Sequence, residues 1–111
     1  MQNDDLTRLH HVLDAAREAE DFIKGKTRDS LDNDRQLALA LVKSVEIIGE
    51  AASRLTNQCR EEQSQIPWSD IVGMRNRLIH AYADINLDIL WKTVIDDLPP
   101  LIAELATILK D

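Results

Sequence analysis

Apolar residues recur along this chain at spacings of three and four, and no run alternates with period two for long enough to suggest a sheet. Leu6, Leu9, Leu13, Ala16 and Ile23 fall on one stripe, which predicts a first helix started by Asp4 or Asp5 and stopped at Gly25. Leu37, Leu41, Val45, Ile48, Ala52 and Leu55 predict a long second helix, with Ser30 or Asp32 as its cap. On that helix Gly49, Ala51 and Ala52 are small enough to let a neighbour approach closely. The polar stretch 57–65 reads as a loop.

Pro67 suits the first turn of a third helix, with Trp68, Ile71, Leu78 and Ile79 facing inward and an end around residues 82–84. Asn86 predicts the cap of a fourth, with Leu87, Leu90, Trp91 and Val94 inward. The pair Pro99-Pro100 breaks or kinks that helix and leaves a short final one carrying Leu101, Ile102, Leu105, Ile108 and Leu109. The pattern predicts an all-α fold: an antiparallel four-helix bundle whose last helix is broken, or followed by an additional short C-terminal one.

The length of 111 residues suits a single domain spanning 1–111. The longest apolar run, residues 37–42, is far short of the roughly 18 residues a membrane span needs. The acidic start Met1-Gln2-Asn3-Asp4-Asp5 lacks the layout of a signal peptide. A lone Cys59 forms no internal disulfide and has no metal or redox partner nearby, so it reads as inert. Together these features predict a soluble cytoplasmic protein without a membrane partner.

The formal net charge of −7 argues against broad electrostatic binding to nucleic acid. The acidity is concentrated at the two ends, whereas residues 24–82 hold nine basic side chains against eight acidic ones. A phosphate-handling site is therefore expected in that middle stretch. Acidic flanks suit a basic partner protein as an alternative.

Within the middle runs Arg75-Asn76-Arg77-Leu78-Ile79-His80-Ala81-Tyr82. Arginine supplies a permanent cation for phosphate, histidine a proton carrier near neutral pH, and tyrosine a hydroxyl open to modification. On an ideal helix Arg75 and His80 diverge by about 140°. Either the helix ends before His80, or two copies meet across a two-fold axis so that their residues converge; the second is favoured. The structural alternative pairs Arg75 with Glu50 or Asp70 and makes His80 a capping residue. Glu50, inside an apolar stretch, reads either as a carboxylate paired with an arginine of another helix or as a group orienting Arg75.

No metal site is expected. The adjacent His10 and His11 face about 100° apart on a helix and cannot chelate together, and no Glu-x-x-His pair occurs. Both histidines read as surface or half-buried, and Glu61-Glu62 and Asp96-Asp97 as solvated faces.

The spacing Arg75-x4-His80-x-Tyr82 resembles the signature of HEPN-domain proteins of the HepT-like family, the toxins of HEPN/MNT toxin–antitoxin pairs. Ile47-Ile48-Gly49-Glu50-Ala51-Ala52, Ile66-Pro67-Trp68, Gly73-Met74 leading into the motif, and Asp97-Leu98-Pro99 resemble the same family in the same order. The likeness covers essentially the whole chain. It implies a HEPN-like domain acting as a metal-independent endoribonuclease, without a cofactor, whose site lies at a homodimer interface. By this resemblance Arg75 holds the scissile phosphate, His80 is the general base, and Asn76 binds phosphate or fixes the imidazole tautomer. It further implies RNA as substrate, with transfer RNA the family's first guess. The resemblance implies, as partner, an MNT-type nucleotidyltransferase antitoxin that silences the toxin by AMPylation of Tyr82.

A different class stays open on the sequence: a non-catalytic helical subunit that docks a nucleotidyltransferase. The acidic balance favours it slightly. A purely structural bundle leaves the Arg75 and His80 pair without a reason.

Overall fold

The computed structural model describes residues 1–81 and 84–110, and the side chains of His80 and Ala81 lie outside that description. Seven α-helical segments follow in order: α1 (Asn3–Phe22), α2 (Ser30–Asn33), α3 (Arg35–Ser53), α4 (Asn57–Glu62), α5 (Trp68–Leu78), α6 (Leu87–Lys92) and α7 (Leu98–Leu109). Between α5 and α6 sits a two-stranded antiparallel ribbon, β1 (Ile79–Ala81) and β2 (Asp84–Ile85). The fold is the expected all-α HEPN-like bundle. Among the described residues no helix is long and apolar enough to cross a membrane.

The predicted stripes form the core. Leu9, Val12, Leu13 and Ala16 of α1 meet Leu41, Val45 and Ile48 of α3, all of them buried, and Leu90, Val94, Leu98 and Leu105 close the core from the C-terminal part. Leu6, placed on that stripe by spacing, is instead exposed. Helix α3 is the central element, packed between α1 on one side and α5 on the other. Gly49 makes the second contact close: a Cβ there would lie 3.4 Å from the carbonyl oxygen of Val72. Gly49→Val is therefore expected to push α5 off α3 and lower the thermal midpoint, whereas Gly73→Ala, in open space, leaves α5 in place.

Several ends differ from expectation. The acidic start of α1 suits the helix dipole, but neither Asp4 nor Asp5 caps it. Asp5 is buried and turned to Thr56, accepting from its backbone N–H at 2.9 Å and its hydroxyl at 2.6 Å. Thr56 Oγ1 in turn accepts from Cys59 N at 3.2 Å, so the stretch expected as a loop opens as the capped helix α4. The cap of α3 is Asp34, whose Oδ1 accepts from Leu37 N at 3.0 Å. Ser30 begins the separate short α2. Helix α1 ends at Phe22, and Gly25 takes the left-handed conformation (φ 73°) that turns the chain.

The fourth helix is not broken by its prolines. A five-residue π-helical segment, Thr93–Asp97, joins α6 to α7, and Leu98 N donates to Thr93 O five residues back. Pro99 and Pro100 carry no N–H, and the wider turn ahead of them lets the helical path continue.

The Asp5–Thr56 link sets a pH dependence. The Thr56 hydroxyl, then its backbone N–H and the charge of Arg8, hold the Asp5 carboxyl below its ordinary value of 3.8, against burial, which raises it. A lowered folded-state pKa adds stability that is full above the ordinary value and is lost as pH falls through the folded one. Asp5→Ala should cost about 1–3 kcal/mol at neutral pH, because it leaves the half-buried Thr56 N–H and hydroxyl without their partner. Urea denaturation against pH checks both: wild type should lose more stability than Asp5→Asn on acidification below about pH 4.

Candidate active site

Helix α5 presents Arg75 and Asn76 to solvent over the exposed face of α3. Its second basic residue points elsewhere: Arg77 folds back on α5, its Nη2 donating to Asp70 O at 3.3 Å. The helix then stops at Leu78, four residues before the expected end. Ile79 turns extended (φ −108°, ψ 106°), and the Leu78 carbonyl accepts from Asn86 N at 2.7 Å. Asn86 also caps α6 as expected, its Oδ1 accepting from Ile89 N at 3.0 Å. The non-local bond to Asn86 takes the place of the next turn of α5.

This geometry changes the relation of Arg75 to His80. The angle of about 140° holds only on a continuous helix, and His80 lies instead in strand β1. Of the two arrangements open to the sequence, the helix ends before His80. The His80 side chain and the whole of Tyr82 lie outside the described residues.

Arg75 is half exposed and loosely held: its Nε stands 3.8 Å from Glu46 Oε1. Such a pair is worth about 0–1 kcal/mol, so the guanidinium is free to take an anion. Glu50 is engaged differently from either expectation. Its Oε1 accepts from Arg54 Nε at 2.8 Å, one turn along its own helix. The carboxylate beside Arg75 is Glu46, and neither Glu50 nor the Asp70 side chain pairs with that guanidinium among the described residues. Glu50 still lines the same cleft. No hydrogen bond holds the exposed Asn76 amide among the described residues.

Arg75 and Asn76 border a cleft of about 810 Å3 above α3. Its far wall is α1, which contributes Arg8 and His11, while α3 contributes Lys43. Sequence reasoning placed the phosphate-handling cations in the middle of the chain and passed over these α1 residues. A signal was present: Asp4, Thr7, Arg8 and His11 form the polar stripe opposite the buried Leu9 and Leu13. Among the described residues no group of three or more His, Cys, Asp or Glu is placed to hold a metal ion. Cys59 is buried, and burial, then the charge of Asp5, pushes its thiol up, which keeps the reactive thiolate scarce.

A helical bundle with these sequence blocks, and with Arg75 and Asn76 exposed on one cleft, defines a class. The Ribonuclease HepT-like family model matches residues 12–108. The chain belongs to the HepT-like ribonuclease family. It is 37% identical over 102 residues to a "putative RNase" of Caldanaerobacter subterraneus subsp. tengcongensis, covering 92% of this chain and 91% of that protein. A "putative RNase" of Methanocaldococcus jannaschii is 36% identical, with 84% and 85% covered. A "probable ribonuclease HepT" of Thermococcus cleftensis is 33% identical, with 84% of each chain covered. No solved structure matches the chain.

Proposed function

We propose that this protein is the toxin of a HEPN/MNT toxin–antitoxin pair and cleaves RNA as a metal-independent endoribonuclease. The observation that carries the reading is an exposed, loosely held Arg75 on a chain of the HepT-like ribonuclease family, a few residues ahead of the helix end that leads into His80. RNA carries a 2′-hydroxyl beside each phosphate. In the proposed reaction the neutral His80 imidazole takes the 2′-hydroxyl proton, the 2′-oxygen bonds to phosphorus, and the bond from phosphorus to the 5′-oxygen breaks. The leaving 5′-oxygen takes up a proton, giving a 2′,3′-cyclic phosphate and a 5′-hydroxyl without consuming water. Arg75 binds the scissile phosphate and stabilises charge growing on its oxygens. Asn76 donates to the phosphate or fixes the imidazole tautomer.

The working unit in this reading is a homodimer with the two motifs near its axis, and the substrate class is RNA, transfer RNA first among the candidates. Expression of the wild type should arrest growth, while Arg75→Ala and His80→Ala should be harmless. Harmless wild type would instead favour the non-catalytic subunit that docks a nucleotidyltransferase.

Tyr82 is the proposed switch. The partner MNT-type nucleotidyltransferase transfers AMP from ATP to the Tyr82 hydroxyl, releasing pyrophosphate. The added anion competes with RNA for Arg75 and repels it. Incubation with partner and ATP should add AMP mass to wild type and none to Tyr82→Phe; full modification of that variant would exclude Tyr82 as the acceptor.

A further inference from the structure

On a chain of net charge −7, the cleft beside Arg75 draws together Arg8, Lys43, Arg54 and Arg75 against Asp4, Glu46 and Glu50. Two of the cations are already engaged, Arg54 with Glu50 at 2.8 Å and Arg75 loosely with Glu46. Arg8 and Lys43 are in no ion pair or hydrogen bond among the described residues, and His11 stands exposed one turn along α1 from Arg8. Arg8 is half-buried on α1 beside the cleft. Elsewhere the acidic surface repels a polyanion. Here a wall of α1 and the floor of α3 offer cations on the side of the cleft opposite Arg75.

We propose that Arg8, His11 and Lys43 form a backbone-binding rim that holds single-stranded RNA by phosphates neighbouring the one at Arg75. The rim has no part in bond breaking. It positions the strand and supplies the affinity that the overall charge withholds. Adjacent helix axes lie roughly 8–10 Å apart, so a strand crossing from α5 over α3 to α1 meets the rim within a few nucleotides of the scissile position. The arrangement is sequence-tolerant, because cations and an imidazole donor facing phosphates read no bases. The rim rests on the nuclease reading for the identity of its ligand but does not depend on cleavage.

The test uses a short, fully 2′-O-methylated oligonucleotide, which lacks the attacking hydroxyl, and reads binding by fluorescence anisotropy across salt concentrations. Arg8→Gln combined with Lys43→Gln should weaken binding about tenfold at low salt and lower the salt slope by about 1.4, near 0.7 for each single-strand phosphate no longer neutralised. His11→Gln should weaken binding by about two- to fivefold, the worth of one hydrogen bond. Lys92→Gln, an exposed cation outside the cleft, should match wild type. A double variant indistinguishable from Lys92→Gln, or wild type that does not bind the oligonucleotide, overturns the rim. So does an affinity loss that tracks a change in assembly size by light scattering. Binding through these cations with native RNA left intact would sink the nuclease reading and leave the rim standing. Cleavage unaffected by the double variant would do the reverse.

Discussion

His80→Ala is expected to slow RNA cleavage by about 10²–10⁴-fold, the usual contribution of a positioned general base. Arg75→Ala should cost about 10²–10³-fold, the range seen when one charge-stabilising donor is removed from a developing oxyanion. The two should differ in kind. Loss of the imidazole leaves phosphate binding nearly intact, so KM changes little, whereas loss of the guanidinium weakens ground state and transition state together. Arg75→Lys should recover part of the rate, because it keeps the cation and loses the fork that grips two phosphate oxygens. Unfolding does not explain the Arg75 result: the side chain is half exposed and its carboxylate neighbour among the described residues, Glu46, is 3.8 Å away, so its removal barely touches stability. Single-turnover cleavage of an end-labelled RNA reads both variants. Wild-type rates in either would contradict the assigned roles.

A single 2′-deoxy substitution at the cleaved nucleotide should abolish cutting there altogether. The proposed nucleophile is the substrate's own hydroxyl, and no residue of the chain replaces it. The same substitution one nucleotide downstream should leave the rate within a few-fold, because phosphate contacts are retained. Undiminished cutting at the deoxy position would mean that water or a side chain attacks phosphorus. The assignment of His80 as base for a ribose hydroxyl would then fall, even with Arg75 still essential.

The parts of the fold that could be read from the sequence are those where a repeat of three and four residues is long. Leu9 to Ala16 and Leu37 to Leu55 mark α1 and α3, and nearly every member of those stripes is buried. Asn86 was legible as a cap because the chemistry is local: its side chain serves the backbone three residues on. Asp5 looked equally local and was not, since its partner Thr56 lies fifty-one positions away. The same long-range bond hid α4, whose cap Thr56 sits in a stretch with no apolar period. The end of α5 was misplaced for a related reason. Leu78 and Ile79 continue a helical stripe, and the bond from Asn86 N to the Leu78 carbonyl, together with the pairing of β1 with β2, decides against it.

The site divides in the same way. Arg75 and Asn76 were visible as chemistry out of place on a core helix, and the structure leaves both exposed on the same cleft. Glu46 was not singled out, though it and not Glu50 stands beside Arg75; both face the cleft four residues apart, and α5 decides which is nearer. Arg8 and His11 were hidden by their acidic surroundings in sequence. Charge counted along the chain does not report charge gathered across helices, and packing of α1 against α3 brings them onto the cleft that Arg75 and Asn76 line.

The most direct test is chemical analysis of the RNA ends left by the purified wild-type chain in the presence of a chelator, with Arg75→Ala as control. The expected result is a 2′,3′-cyclic phosphate on one fragment, a 5′-hydroxyl on the other, and no product from the variant. Fragments bearing 5′-phosphates and free 3′-hydroxyls, or cutting that stops when divalent ions are removed, would contradict it.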